Sequence, residues 1–164
     1  MISKILTDEM NIQVNKELYS SYLYLSMAAY FESANLSGFA HWMRVQSQEE
    51  LDHGRKFYNY LLDRGGKVVL AAIDAPPVEF ASPLAALEMT YEHEKMVTAR
   101  INHIYSQAVK ENDYACQVFL NWFVNEQVEE EKNASQIVEV MKMIGDKSNA
   151  IFQLDHQMGK RGSD

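Results

Sequence analysis

Between Met1 and Ser37 the chain contains neither glycine nor proline, and its 3 prolines all fall between positions 76 and 83. Windows this long without a breaker, rich in Leu, Met, Glu, Gln and Ala, favour long helices over any sheet. The few breakers then divide the chain. Asn35-Leu36-Ser37-Gly38 ends one helix and Gly65-Gly66 a second. Pro76-Pro77 and Ser82-Pro83 bracket an irregular stretch, with Ser82 placed to cap a third helix and Pro83 in its first turn. Glu111-Asn112-Asp113 turns the chain into a fourth helix, which runs to Gly145. The expected helices are 4–34, 38–64, 83–111 and 113–144, then a short fifth at 147–158. They form one all-α domain over 1–164, with a crossover at 65–82.

Connection lengths set the topology. The turns near 36 and 112 are short, so helices one and two are antiparallel, as are three and four. The link between helices two and three is long enough, at ~3.3 Å per residue, to span a helix of roughly 40 Å. It can therefore cross the whole bundle and make helices two and three parallel. The expected fold is a four-helix bundle with one long crossover.

Each helix carries an apolar seam with alternating steps of three and four. Helix one reads Met10, Val14, Glu17, Ser21, Tyr24, Ala28, Phe31, and helix two Phe39, Met43, Gln46, Glu50, His53, Phe57, Tyr60. Helix three reads Leu84, Leu87, Tyr91, Glu94, Thr98, Ile101, Tyr105, and helix four Leu120, Phe123, Gln127, Glu130, Ala134, Ile137, Met141. Every seam is apolar at its ends and polar or charged in the middle. An offset of 77 residues superposes the hairpins, carrying Glu17 onto Glu94, Glu49 onto Glu126, Glu50 onto Gln127 and His53 onto Glu130. This places four carboxylates and one imidazole at one level of the core, around a pseudo-twofold axis.

Buried, unpaired carboxylates each cost several kcal/mol. Two divalent cations neutralise the four charges of Glu17, Glu50, Glu94 and Glu130, and oxygen ligands with one imidazole suit iron or manganese. Cys116 is the only cysteine, which excludes an internal disulfide and a four-thiolate zinc site. The competing expectation is a bundle whose polar layer only fixes register, with protonated glutamates bonded to Tyr, Gln and Ser. A net charge of −8 argues against nucleic-acid binding. The longest apolar stretch, Tyr22–Phe31, is about half a membrane span, so no membrane partner is expected. No signal-peptide pattern opens the chain, which is read as cytoplasmic.

The sequence resembles the bacterial non-haem ferritins over nearly its whole length. The resemblance is carried by the tyrosine-rich Tyr19–Phe31, by Gln48-Glu49-Glu50-Leu51-Asp52-His53, by the Pro-containing crossover, and by Asn125-Glu126-Gln127-Val128-Glu129-Glu130-Glu131. It implies a ferritin-like fold and an iron-storing ferroxidase that uses O2 or H2O2 and deposits mineral in a homo-oligomeric, 24-subunit shell. It further implies that Glu17, Glu50 and His53 hold one iron of a di-iron centre, while Glu94, Glu130 and a bridging Glu50 hold the other, with Gln127 beside it. A third iron position would use Glu49, Glu126, Glu129 and Glu130. Bacterioferritins have Glu-x-x-His on helix four and a haem-binding Met after the helix-two Glu. Here stand Gln127-x-x-Glu130 and Leu51, so no haem is expected.

Other residues carry plainer expectations. Tyr24, seven residues beyond Glu17, is equally suited to core packing and to bonding a site carboxylate. Trp122 is expected in the core or an interface, Cys116 as a packed free thiol, and His41, His93, His103 and His156 in solvent. Ile151, Phe152 and Leu154 leave an apolar face on the fifth helix, which by resemblance meets its copies at four-fold axes of the shell.

Overall fold

Helix boundaries follow the breakers to within a residue or two. The computed structural model describes residues 1–145 and 148–162. It contains α1 (Lys4–Ser33), α2 (Ser37–Asp63), α3 (Pro83–Lys110), α4 (Tyr114–Ile144) and α5 (Ser148–Met158). The expected fifth helix began at Lys147, which lies outside the described residues. Among the described residues no helix is long and apolar enough to cross a membrane.

Three helices are capped by their own sequence. Ser3 Oγ accepts from Leu6 N at 3.1 Å, Ser82 Oγ from Ala85 N at 3.0 Å, and Asp113 Oδ1 from Cys116 N at 3.0 Å. Pro83 occupies the first turn of α3, where its missing N–H costs nothing. The capping Asp113 also forms a two-armed pair with Arg64, at 3.1 and 2.8 Å, which ties the end of α2 to the start of α4.

The 77-residue repeat extends to the backbone of the two turns. Asn35 and Asn112 both adopt positive φ, 59° and 56°, the left-handed conformation that asparagine tolerates well. In the first turn Leu36 N donates to Phe31 O at 2.9 Å, and in the second Asp113 N donates to Ala108 O at the same distance. Both carbonyls sit five residues before their donors, so both hairpins close by one mechanism.

The crossover runs along α1 in the same direction as that helix. Asn11 Nδ2 donates to Lys67 O at 2.9 Å and Asn11 Oδ1 accepts from Val69 N at 2.7 Å. Asn15 Nδ2 reaches Ala72 O at 3.0 Å, Ser26 Oγ donates to Pro77 O at 2.6 Å, and Phe80 packs on Tyr30. The chain therefore re-enters at the end where α2 began, which makes α2 and α3 parallel. Residues 65–82 thus cross the bundle as the spacing predicts.

α2 has no side-chain cap of its own, since its N-cap is Leu36. Asp155 of α5 supplies one: its Oδ1 accepts from Phe39 N at 2.9 Å. This contact demands a very close approach, because a Cβ on Gly38 would stand 1.7 Å from the Asp155 carbonyl oxygen. Gly38→Ala is therefore expected to expel α5 while the four-helix core persists. The check is limited proteolysis, in which cleavage within 148–162 should become much faster while 4–144 remains protected.

The core falls into two apolar clusters. One, at the α1–α2 turn, packs Met27, Phe31, Phe39, Met43, Leu87 and Met141, with Leu154 and Met158 from α5. The other, at the α3–α4 turn, packs Leu6, Met10, Phe57, Leu61, Ile101, Leu120 and the free thiol of Cys116. Leu154 is spent on this packing, contrary to the expectation that it faces outward with Ile151 and Phe152; Ile151 is half-buried and Phe152 is 60% exposed. On α3 the buried face is rotated from the expected seam. Ala86, Thr90, His93 and Val97 are buried beside Leu87, Glu94 and Ile101, while Leu84, Tyr91, Thr98 and Tyr105 are only half-buried.

Candidate metal centre

A buried polar layer separates the two apolar clusters. Glu17, Glu50 and Glu94 are each 1% exposed and Glu130 5%, one from each long helix. One oxygen of Glu17, one of Glu50 and one nitrogen of His53 lie within 4.8 Å of one another. The Glu50 and His53 side chains stand one helical turn apart, with His53 Nδ1 3.6 Å from Glu50 Oε2. Edge-on contacts with Trp122 and Phe123 hold the imidazole in place.

The other two carboxylates are held by neutral donors. The Tyr24 hydroxyl donates to Glu94 Oε1, and Gln127 Nε2 donates to Glu94 Oε2 at 3.2 Å. Gln46 Nε2 bridges Glu50 Oε1, at 3.1 Å, and Glu130 Oε2, at 2.8 Å. Gln13 Nε2 donates to Glu17 Oε1 at 2.8 Å. Glu17 Oε2 is fully buried and has no hydrogen-bond partner. No lysine or arginine among the described residues pairs with any of these four carboxylates.

Burial raises the carboxyl pKa values throughout the layer. Glu17 is pushed well above the usual range by desolvation and then by the charge of Glu50; Glu50 likewise by desolvation and the charge of Glu94. Desolvation brings Glu94 up to about 7, and desolvation with the Glu94 charge brings Glu130 up to about 7. Desolvation and the same Glu94 charge raise Tyr24 well above its ordinary value, so its hydroxyl remains a donor. Carboxyls that hold protons near neutrality beside an unpartnered buried oxygen are groups that could hold a cation in place of those protons.

The remaining sequence-designated residues are placed less tightly. Glu126 Oε1 lies 3.9 Å from His53 Nε2, and its side chain is 29% exposed. Glu49 is half-exposed and paired with Arg161, and Glu129 is exposed. Trp122 is 40% exposed under the Lys56 ammonium, so it is not a core residue of this chain.

Gln46 lies on the expected seam of α2, but its role, and the places of Gln13 and His93, were not legible beforehand. Gln13 and Gln46, each four residues before a site glutamate, form the same amide-to-carboxylate pair on α1 and α2, a spacing visible in the sequence. His93, expected in solvent, is buried. Its Nε2 lies 2.7 Å from Ser20 Oγ, its ring packs edge-on against Tyr24, and burial lowers its pKa to about 4, so it is neutral. It lines, with Gln13 and Ser20, a cleft of about 550 Å³ between α1 and α3, behind Glu17. The other three histidines lie away from the layer: His41 is half-buried and bonds Arg161 O, His103 faces Glu9, and His156 is exposed.

The sequence profile of the ferritin-like domain matches residues 7–144, which take in most of α1 and the whole of α2, α3 and α4. The chain belongs to the ferritin family. It is 44% identical to the bacterial non-heme ferritin of Bacteroides fragilis over 161 residues, covering 98% of this chain and 100% of that protein. It is 38% identical to the bacterial non-heme ferritin of Staphylococcus aureus over 164 residues, covering 100% and 99%. Among solved structures it superposes on the open pore ferritin of the hyperthermophilic archaeon Archaeoglobus fulgidus with a TM-score of 0.97. The identity there is 49%, over 98% of this chain and 99% of that one. The all-helical architecture is thus the ferritin fold, with a carboxylate–histidine group at the level where the seams turn polar.

Proposed function

We propose that this ferritin stores iron by taking up Fe(II) in pairs at the buried layer and oxidising it before it passes to a mineral. Glu17 Oε2 carries the reading. It is a fully buried oxygen without a hydrogen-bond partner, set beside a second carboxylate and an imidazole. Glu17 and Glu50 are close enough to share one proton when empty and one dication when filled. Glu17, Glu50 and His53 take one Fe(II); Glu94, Glu130 and a shared Glu50 take the other.

The protein's own groups define the steps. Binding two dications replaces the protons held by the raised carboxyls, so uptake releases protons to solvent. The two iron ions then surrender one electron each to a single O2 or H2O2, which takes up two protons from solvent to give hydrogen peroxide or two waters. Tyr24 and Gln127 orient Glu94 through its two oxygens, while Gln46 fixes Glu50 and Glu130 together. Gln127 and Glu130 stand where a Glu-x-x-His pair would bind firmly, and a neutral amide is a poor metal ligand, so the Glu94 iron is the more weakly held and the product leaves. Glu49, Glu126 and Glu129 form the acidic way out, and the mineral grows inside a closed oligomer, 24-membered by resemblance to the bacterial ferritins. The exposed Phe152 on α5 is apolar surface for that assembly.

The test is aerobic addition of Fe(II) at two ions per chain. Growth of ferric absorbance well above the buffer rate, with iron retained in solution on the protein, is the expected result. Oxidation no faster than in buffer would remove the ferroxidase reading.

A further inference from the structure

The tail beyond α5 returns to the site. Arg161 pairs through Nη2 with Glu49, and its Nη1 donates to Gln46 Oε1 at 2.8 Å. Its guanidinium lies 4.4 Å from the centre of the Trp42 ring, and its carbonyl is bonded by His41 Nε2 at 2.9 Å. Four separate contacts on α2 thus hold one residue 112 positions away from Glu49. The Gln46 amide is fixed by this: with its oxygen turned to Arg161, its Nε2 is left to face Glu50 and Glu130.

We infer that Arg161 is a built-in cation that occupies the Glu49 side of the centre, and that a third metal ion must displace it to bind. The inference rests on the paired-iron reading above. A guanidinium is a fixed fork that satisfies a carboxylate and an amide oxygen together, as here. It cannot be deprotonated away, so only another cation at Glu49 releases it. When it leaves, Gln46 loses the partner that sets its orientation, and its oxygen is free to turn inward toward an arriving ion. The tail therefore sets how readily iron moves from the pair to the outer carboxylates, and reaches the pair's own ligands only through the Gln46 amide.

Anaerobic calorimetric titration with Co(II), which is not consumed by oxidation, tests this. In Arg161→Ala the third binding event should tighten about five- to tenfold, the scale expected for removing one charge-assisted, partly exposed pair. The first two events should change less than the third, because Arg161 reaches the pair ligands Glu50 and Glu130 only indirectly, through the Gln46 amide. Arg161→Lys keeps the charge and should lie closer to the unaltered protein. Adding Glu49→Gln to Arg161→Ala should abolish the gain. In the unaltered protein the third addition should also change Trp42 emission as the guanidinium leaves the indole; in Arg161→Ala it should not. A third event unchanged or weakened in Arg161→Ala, or absent from every variant, overturns the inference while the pair stands. Failure of the unaltered protein to bind the first two ions overturns the paired-iron reading and the inference with it.

Discussion

Replacing Glu50 with glutamine is expected to abolish rapid Fe(II) oxidation and to make the metal-free protein more stable. Glu50 touches both halves of the layer: its Oε2 faces His53, its Oε1 shares the Gln46 amide with Glu130, and its charge is felt by Glu17. An amide of the same shape cannot serve as the shared anionic ligand, so the oxidation rate should fall by about a hundredfold or more. At alkaline pH, where the layer is driven to ionise, the same change removes a buried charge from among three others. Breaking like-charge repulsion in a desolvated layer should raise stability by roughly 1–3 kcal/mol, and the new N–H2 has carboxylate acceptors on either side. Initial rates of ferric absorbance and calorimetry of chelator-treated protein read the two effects separately. A variant that is slower and also less stable would mean that Glu50 is a structural anchor.

Metal-free protein should lose thermal stability as pH rises from about 5 to 8. Glu94 and Glu130 hold their protons to about 7, against about 4.5 for a free glutamate. A carboxyl whose folded pKa is raised binds its proton more tightly when folded. Its contribution is complete below about 4.5 and is lost as pH climbs through about 7. Two such groups together amount to several kcal/mol. Opposite in sign are Asp113, lowered chiefly by its bonds to Arg64, and Glu9, lowered by Arg100 and His103 against an opposing desolvation. Their stabilisation is lost as pH falls through their depressed values, so the optimum should lie near pH 5. Zn(II) added at pH 8 should restore the lost stability by replacing the protons. A midpoint temperature that rises steadily from pH 5 to 8 in chelator-treated protein would contradict this account.

The elements were legible because the breakers are few and each acts locally. Ser82-Pro83, Asn35 and Asn112 fix their own neighbourhoods, and the long crossover leaves only one way to return. The charged layer was legible because carboxylates on an apolar seam conflict with burial unless something neutralises them. What escaped was lateral. His93 lies one position from Glu94, on the flank of α3 that turns toward α1, and no seam drawn from α3 alone reveals how wide its buried face is. Gln13 and Gln46 are neutral and ordinary in a helix, so composition gives them no weight until their carboxylate partners are in place. The contact of Arg161 with Glu49 has no periodic signature at all, because it depends on how α5 docks against Gly38.

Because α2 is capped by Asp155, the helix bearing Glu50 and His53 is finished only by residues made much later. Phe39 and Asp155 are 116 positions apart. At ribosomal rates of about 5–20 residues per second, that separation corresponds to roughly 6 to 23 seconds of synthesis. Throughout it the first hairpin has an open helix N-terminus and no guanidinium beside Glu49. A nascent chain therefore carries a barer acidic face until α5 and Arg161 emerge to cover it.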